Sequence, residues 1–529
     1  MVKINDLKIF IAAGMLQLFC ITAQGQPVQH FVDYYGKDST LKRSEGSYVD
    51  GLEHGEWKYW YKNGSQKEIS NYWRGRMDGK VTIWYESGQK QNEGFFKFNK
   101  PVGHYKSWYP SGQLESEGYF KDGVKDSLWV KYFNDGRKES EEWYENGMKK
   151  IRNYWNKEGE QTVKDGTGQI NELFPDGKVK KRIPYKNGLK NGRAVAFYKS
   201  NIKKEEGSYK DDMKEGKWEE WYSNGRIFKR SVYKDGSMQG AYQRYYDNGQ
   251  INVEGFYSND QKDSIWTWYG RDGSLDMNGS FKSGKQHGLW KYYFVGGKQL
   301  EYTGHFVMDK EEGEWIFYYQ TGEVWRKGNY LHGQKEGRWT TWFENGKKLQ
   351  EGSYKNGYED GLWVAWFENG QMKDKGNYLE GVMDGVWRGW FPNGNKRYEG
   401  EWKGGKKTGS WITWYENGKC RDTGYFQDGK KEDAWIYYRE TGIKESEENY
   451  KNGLKNGDCI YYFKTGLHQR KEKYKDDKLN GLSRSWDSHG VLISEINYKD
   501  GRPDGKSVIY DENGNILKTV IFKEGIKVK

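Results

Sequence analysis

One peptide pattern returns every 24 residues along almost the whole 529-residue chain, and it constrains the fold more than any other property of the sequence. In its fullest form it runs Gly409-Ser410-Trp411-Ile412-Thr413-Trp414-Tyr415-Glu416-Asn417-Gly418, followed by Gly424-Tyr425-Phe426 and a second glycine-containing turn. Its leading small residue falls at Gly55, Gly79, Gly103 and Ser127, then at Gly168, Gly192, Gly216, Gly240, Ser264 and Gly288. After one 25-residue step it continues at Gly313, Gly337, Gly361, Gly385, Gly409, Asp433, Gly457, Gly481 and Gly505. These are 19 repeats, with a degenerate one before them over residues 31–48. Self-similarity at a fixed period means an array in which each repeat buries its surface against its neighbours.

Each repeat reads as a β-hairpin plus a connecting turn. From Trp411 to Tyr415, aromatic and β-branched residues alternate between faces, as a short strand requires. Glu416-Asn417-Gly418 is a hairpin turn, in which Asn-Gly supplies the positive φ of a primed or bulged turn. The Gly418 position is glycine in 18 of the 19 repeats, and the exception is Asn201, which tolerates left-handed backbone. The return strand carries a small residue two places before an aromatic, as in Gly352 before Tyr354 and Gly376 before Tyr378. A glycine on a strand face leaves a hollow that a ring from the adjoining strand fills. The expected fold is all-β: an elongated, twisted antiparallel β-ribbon of about 20 tandem hairpins, on the order of 190 Å long at about 4.8 Å per strand.

Between Ser127 and Gly168 the spacing is 41 residues. Trp143-Tyr144-Glu145-Asn146-Gly147 carries the turn signature there without a full first strand, so a shortened, kinked repeat of 17 residues is expected. The expected organisation is a leader over 1–25, an N-terminal array over 26–136, the irregular repeat over 137–167 and a C-terminal array over 168–529. In the last repeats Ile496 and Val520 replace the small residue, and Asp487 and Asp511 replace an aromatic. They form either an end cap or an interface.

Aromatics are 17% of residues and charged residues 31%, so rings must replace the usual aliphatic core. Of 26 Trp, 11 lie two places after the leading residue, and the position five after it is aromatic in 18 repeats. Three residues apart, the two positions face opposite ways in a regular strand. Trp315, Trp339, Trp363, Trp387 and Trp411 of the first set, with Trp342, Trp366, Trp390 and Trp414 of the second, form a candidate aromatic platform. It is either a stacked stripe of a thin sheet or a partly exposed ligand surface.

Lys3 and Lys8, the apolar run from Ile9 to Ile21 and Ala23-Gln24-Gly25 read as a signal peptide cleaved before Gln26. No residue stretch of the mature chain reads as a membrane span, and an extracytoplasmic location, periplasmic or secreted, is expected. Cys420 and Cys459 lie two hairpins apart, about 19 Å against the roughly 7 Å a disulfide allows, and Cys459 occupies the recurrent Trp position as a buried filler. The formal charge of +11 is spread among alternating signs, which reads as a solvated sheet. Weak contact with an anionic membrane surface stays open, and nucleic acid is not expected. The eight His are scattered, and no nucleophile elbow, phosphate loop, dinucleotide fingerprint or calcium loop occurs. The chain therefore reads as non-enzymatic, with no catalytic residue, cofactor or metal.

Gly337-Arg338-Trp339-Thr340-Thr341-Trp342-Phe343-Glu344-Asn345-Gly346 with Glu351-Gly352-Ser353-Tyr354 resembles the bacterial variant of the MORN repeat over roughly residues 30–525. The chain is also similar to an antitoxin-like group named for these repeats, which implies inhibition of a partner protein and sits badly with export. MORN arrays imply scaffolds or protein-contact surfaces and bring no catalytic residues. Choline- and glucan-binding hairpin repeats are similar in their aromatics but shorter. Three readings follow: a scaffold contacting an unknown protein partner or envelope component, a module binding glycan or another envelope polymer, and an antitoxin-like inhibitor.

Overall fold

The computed structural model describes residues 28–36 and 40–528, and the expected leader lies outside them. Among these residues are forty-five β-strands and no helix. Successive strands pair antiparallel in hairpin order, as the repeat requires. The chain forms two compact segments that divide between Trp218 and Glu219.

A typical repeat supplies an outgoing strand, Gln334–Trp342, and a return strand, Lys348–Lys355. At one edge the three-residue loop Glu344-Asn345-Gly346 closes with Phe343 N–H donating to Lys347 O at 2.8 Å and Gly346 N–H to Phe343 O at 3.0 Å. Only Gly346 there has positive φ, 79°, so these are bulged turns. Asn201 holds the same conformation at 65°. At the other edge two-residue primed turns occur, such as Asn356-Gly357 with φ of 51° and 84°.

The leading residue is small because it interrupts the ladder. Lys327 faces Thr340 and Asn329 faces Glu336, so the outgoing strand carries two extra residues around Gly337. This bulge swings the Trp339 ring onto Gly328, where a Cβ would stand 2.1 Å from the indole. It also takes the Asn329 carbonyl out of the ladder, and Trp339 Nε1–H donates to that oxygen at 3.1 Å. Ten of the eleven repeated Trp make this bond; in Trp315 the indole N–H has no partner.

The core is therefore a seam of rings on one sheet face. Trp339 meets Tyr330 and Tyr354 edge-on, with centroids 5.2 and 6.1 Å away, and Trp363 meets Tyr354 and Tyr378 at 5.3 and 5.9 Å. Every one of the eleven Trp has a glycine eleven residues earlier. Where the ring is replaced the glycine is too, as in Ser70 with Val81, Ile183 with Ala194, and Glu448 with Cys459. Cys459 is fully buried in the Trp position, and burial pushes its thiol pKa up; it and Cys420 are free.

The opposite face is charged. Glu351 there accepts from Lys348 at 2.8 Å, from Thr340 at 3.2 Å and from Arg338. Both edges are tied between repeats: Tyr319 Oη donates to Trp342 O at 2.8 Å, and Asn356 N–H donates to Glu336 at 2.9 Å.

The irregular repeat corrects the sequence reading. Its outgoing strand is complete, Met148–Trp155, and the shortening falls on the return strand, Gln161–Lys164. Trp143 to Glu145 end the preceding return strand, Lys138–Glu145, and Asn146-Gly147 is a primed turn at the other edge. The tripeptide Glu-Asn-Gly suits both edges, which is why it misled. The Gly188 turn bridges the retracted turn, with Gly188 N–H donating to Gly166 O at 2.9 Å and Ile151 N–H to Gly188 O at 2.9 Å. Ile151, Val163 and Ile170 take over the seam there. In the last repeats Asp487 and Asp511 replace the ring by capping their own turns, while Ile516 and Leu517 stand exposed.

Candidate binding trough around Trp363

Each seam Trp rests one ring face on glycine and needs a cover for the rest. Three kinds of cover recur. A Lys four residues earlier stands over the ring at 3.9 Å for Lys125 and Trp129, 4.9 Å for Lys335 and Trp339, and 4.2 Å for Lys407 and Trp411. An aromatic two residues later lies beside the ring, as Tyr292 does for Trp290 and Phe317 for Trp315. A ring from the return strand is the third, Tyr398 stacking on Trp411 at 6.1 Å. Tyr398 also lies over Gly389, two residues after Trp387.

Trp363 lacks all three. Glu359 stands four residues before it, Ala365 two after, and Gln350 and Asp374 hold the two return-strand positions that Tyr398 takes toward Trp411 and Trp387. Ten of the eleven seam Trp are at most 6% exposed, while Trp363 is only half-buried.

The gap extends over several repeats. The residues two places after the seam Trp are Thr341, Ala365, Gly389 and Thr413, four small side chains between Phe317 and Tyr437. Two open hollows result, of about 190 Å³ and about 350 Å³, sharing Gln350 and Trp363 as common wall. The smaller is lined also by Arg326, Lys335, Trp339 and Thr341, the larger by Ala365, Asp374, Trp387, Arg397 and Tyr398.

Charge is unequal along this trough. The Arg326 guanidinium lies 4.5 Å from the Phe317 ring centroid and 5.3 Å from that of Trp339, and the Lys335 ammonium 4.6 Å from that of Tyr354. Among the described residues neither cation has an ion pair with a carboxylate. Burial, and then Arg326, hold the Lys335 pKa below its ordinary value. At the other end Asp374 accepts from Arg397 and from Tyr398 Oη, both at 2.9 Å.

The candidate platform thus splits. Trp315, Trp339, Trp387 and Trp411 are packed inside the seam, and Trp363 alone of the first set offers ring surface. Trp342, Trp366, Trp390 and Trp414 are half-buried, with Lys348 over Trp366 at 5.7 Å and Lys396 over Trp414 at 5.4 Å. The irregular repeat holds two further open hollows, of about 380 and 560 Å³, around Lys150 and Ile151. Sequence reading found the rings and the glycine hollow that a neighbouring ring fills, but not that the filler is the Trp eleven residues later, nor the covering Lys, nor the run of small residues that bares one ring. All three are periodic signals.

Among the described residues no cluster of His, Cys, Asp and Glu is arranged to hold a metal, and no helix is long and apolar enough to cross a membrane. Eleven stretches, 53–74, 77–98, 101–122, 214–235, 238–259, 311–332, 335–356, 359–380, 383–403, 479–500 and 503–524, match the MORN repeat variant. No curated protein matches the chain. Similar solved structures include a crystal structure of TcdB2-TccC3, at 11% identity over 95% of this chain and 30% of that one, with a TM-score of 0.13. A Tc holotoxin pore of Photorhabdus luminescens is similar at 11% identity over 90% of this chain and 29% of that one, also at 0.13. This chain thus spans under a third of the length of either.

Proposed function

From a chain that carries MORN-variant repeats in tandem, we propose a non-enzymatic scaffold that works outside the cytoplasm and holds a protein or envelope component. The observation that carries this reading is the fate of the rings: ten of the eleven repeated Trp are consumed by packing, while Trp363 borders an open trough. An open trough walled by an uncovered ring is suited to holding a partner. The export-type leader supports the location. An antitoxin-like role, which needs the cytoplasm, is the less favoured reading, and the solvated charges allow weak attraction to anionic surfaces.

The test closes the trough with a cover the protein already uses elsewhere. Ala365→Tyr copies Tyr292 beside Trp290 and preserves the seam. Full-length protein is cross-linked in the native envelope fraction, beside Ala365→Tyr and Leu362→Ala, an exposed change away from the trough. Adducts lost only in Ala365→Tyr support the reading; adducts unchanged in both refute it. A reporter fused to the C-terminus that remains cytoplasmic would refute the location.

A further inference from the structure

We propose that the trough binds an acidic saccharide, with a pyranose ring on the bare face of Trp363 and its carboxylate between Arg326 and Lys335. The proposal rests on the trough being a contact site and adds the ligand class.

Three features select this chemistry. Trp363 offers a half-bare indole face, and the Gln350 amide and the Asp374 carboxylate border it on the flanking return strands. A sugar ring matches that arrangement, with an apolar C–H face for the indole and hydroxyls at its rim for the amide and the carboxylate. An aliphatic side chain would cover the ring but offer the Gln350 amide no hydrogen bond, a loss where that group is desolvated, and would add nothing to Asp374 beyond its bonds from Arg397 and Tyr398.

The second feature is the pair of cations. Arg326 and Lys335 line the same hollow without an ion pair to a carboxylate, and each is held in place by rings 4.5 to 5.3 Å away. Burial and then Arg326 depress the Lys335 pKa against a smaller opposing pull from Glu359, and an anionic group seated between the two cations relieves the repulsion that remains. Guanidinium binds carboxylate with two parallel hydrogen bonds, which favours a carboxylate over a diffuse negative surface.

The third is size. The cationic hollow, about 190 Å³, lies below the usual range for a whole ligand, whereas the adjoining 350 Å³ falls within it. The smaller space suits a substituent and the larger a ring and its neighbour in an oligomer. Avidity along a polymer would come from other chains rather than from other repeats, because the remaining seam rings are covered.

Calorimetric titration of the full-length chain tests this with a galacturonic acid tetramer, neutral cellotetraose and AMP. The acidic tetramer is expected to bind saturably, at least tenfold tighter than cellotetraose, weakening with added salt. Ala365→Tyr should abolish binding, and Arg326→Gln with Lys335→Gln should reduce the preference for the acidic tetramer tenfold or more. Hydrogen exchange over residues 324–379 verifies that each variant keeps its seam. Equal affinity for the neutral tetramer, or binding of AMP instead, overturns the ligand class. No binding of either tetramer overturns it too, and if Ala365→Tyr still removes the envelope adducts the scaffold reading survives that failure. If Ala365→Tyr alters neither assay, both readings fall together.

Discussion

Exchanging the sizes of Gly328 and Trp339 tests what holds the sheet. In Gly328→Ile the new Cβ would lie 2.1 Å from Trp339 Cδ2 and 2.3 Å from Cε2, so the ring must leave its site. Displacing a buried Trp forfeits packing worth about 3–5 kcal/mol, the range for truncating it to Ala. It also removes the indole hydrogen bond to Asn329 O, about 1 kcal/mol. Trp339→Ala alone should cost a similar amount through the cavity it leaves over glycine.

The double variant rebuilds a pair the protein already contains, Ile183 with Ala194, both buried. Its cost should fall short of the sum of the two single changes by a coupling of about 2–3 kcal/mol, near the top of the range for residues in contact. A melting temperature is the wrong readout, because an array of near-independent repeats need not unfold in one step. Native-state hydrogen exchange over strands Val324–Leu331 and Gln334–Trp342 reads the local opening free energy directly. Additive single effects, or a Gly328→Ile cost under about 1 kcal/mol, would refute the glycine-and-ring argument.

Further outcomes follow from other contacts. Tyr319→Phe should speed exchange in strand Gln334–Trp342 by losing a hydrogen bond worth about 0.5–1.5 kcal/mol, with little change in the next repeat. Gly313→Asn, at φ 65°, should be nearly neutral by the same measure, whereas Gly481→Asn, at φ 125°, should cost about 1–3 kcal/mol. Burial raises the Glu142 pKa, but Lys149, Lys131 and the hydrogen bonds from Lys131 and Tyr144 outweigh it and leave the carboxyl below its ordinary value. Its contribution is therefore complete above the ordinary carboxylate range and lost as pH falls through the lowered folded value. Exchange over residues 138–155 should accelerate in that acid window, and Glu142→Gln should remove the dependence.

Strand order, hairpins and turns were legible because each depends on residues adjacent in the chain. Asn201 announced left-handed backbone, and Glu416-Asn417-Gly418 announced a loop. The irregular repeat was misread because Glu145-Asn146-Gly147 fits either edge, and only pairing with Lys138–Glu145 shows which edge it occupies. The trough was not read because it is an absence: nothing at Glu359, Ala365 or Asp374 is unusual alone, and Trp363 matches the pattern better than most. What bares its ring is the coincidence of three missing covers, two on its own strand and one on the return strands beside it.

The leading residues show how far one packing choice sets the backbone. In all eleven Trp repeats their φ lies between 55° and 77°, and Gly103 joins them at 73°, its Tyr105 also lying against a glycine, Gly94. In the other seven repeats φ is between 99° and 146°. The second range is open to glycine alone among the common residues, whereas the first admits short polar side chains at a cost. The three leading residues that are not glycine, Ser127, Ser264 and Asp433, all precede a seam Trp and take φ of 60°, 59° and 55°. A ring seated on glycine thus fixes the bulge in the left-handed region, and the bulge then tolerates Ser or Asp. Covering Trp363 with Ala365→Tyr leaves that bulge and its glycine untouched, so the trough can be closed without disturbing the backbone that positions it.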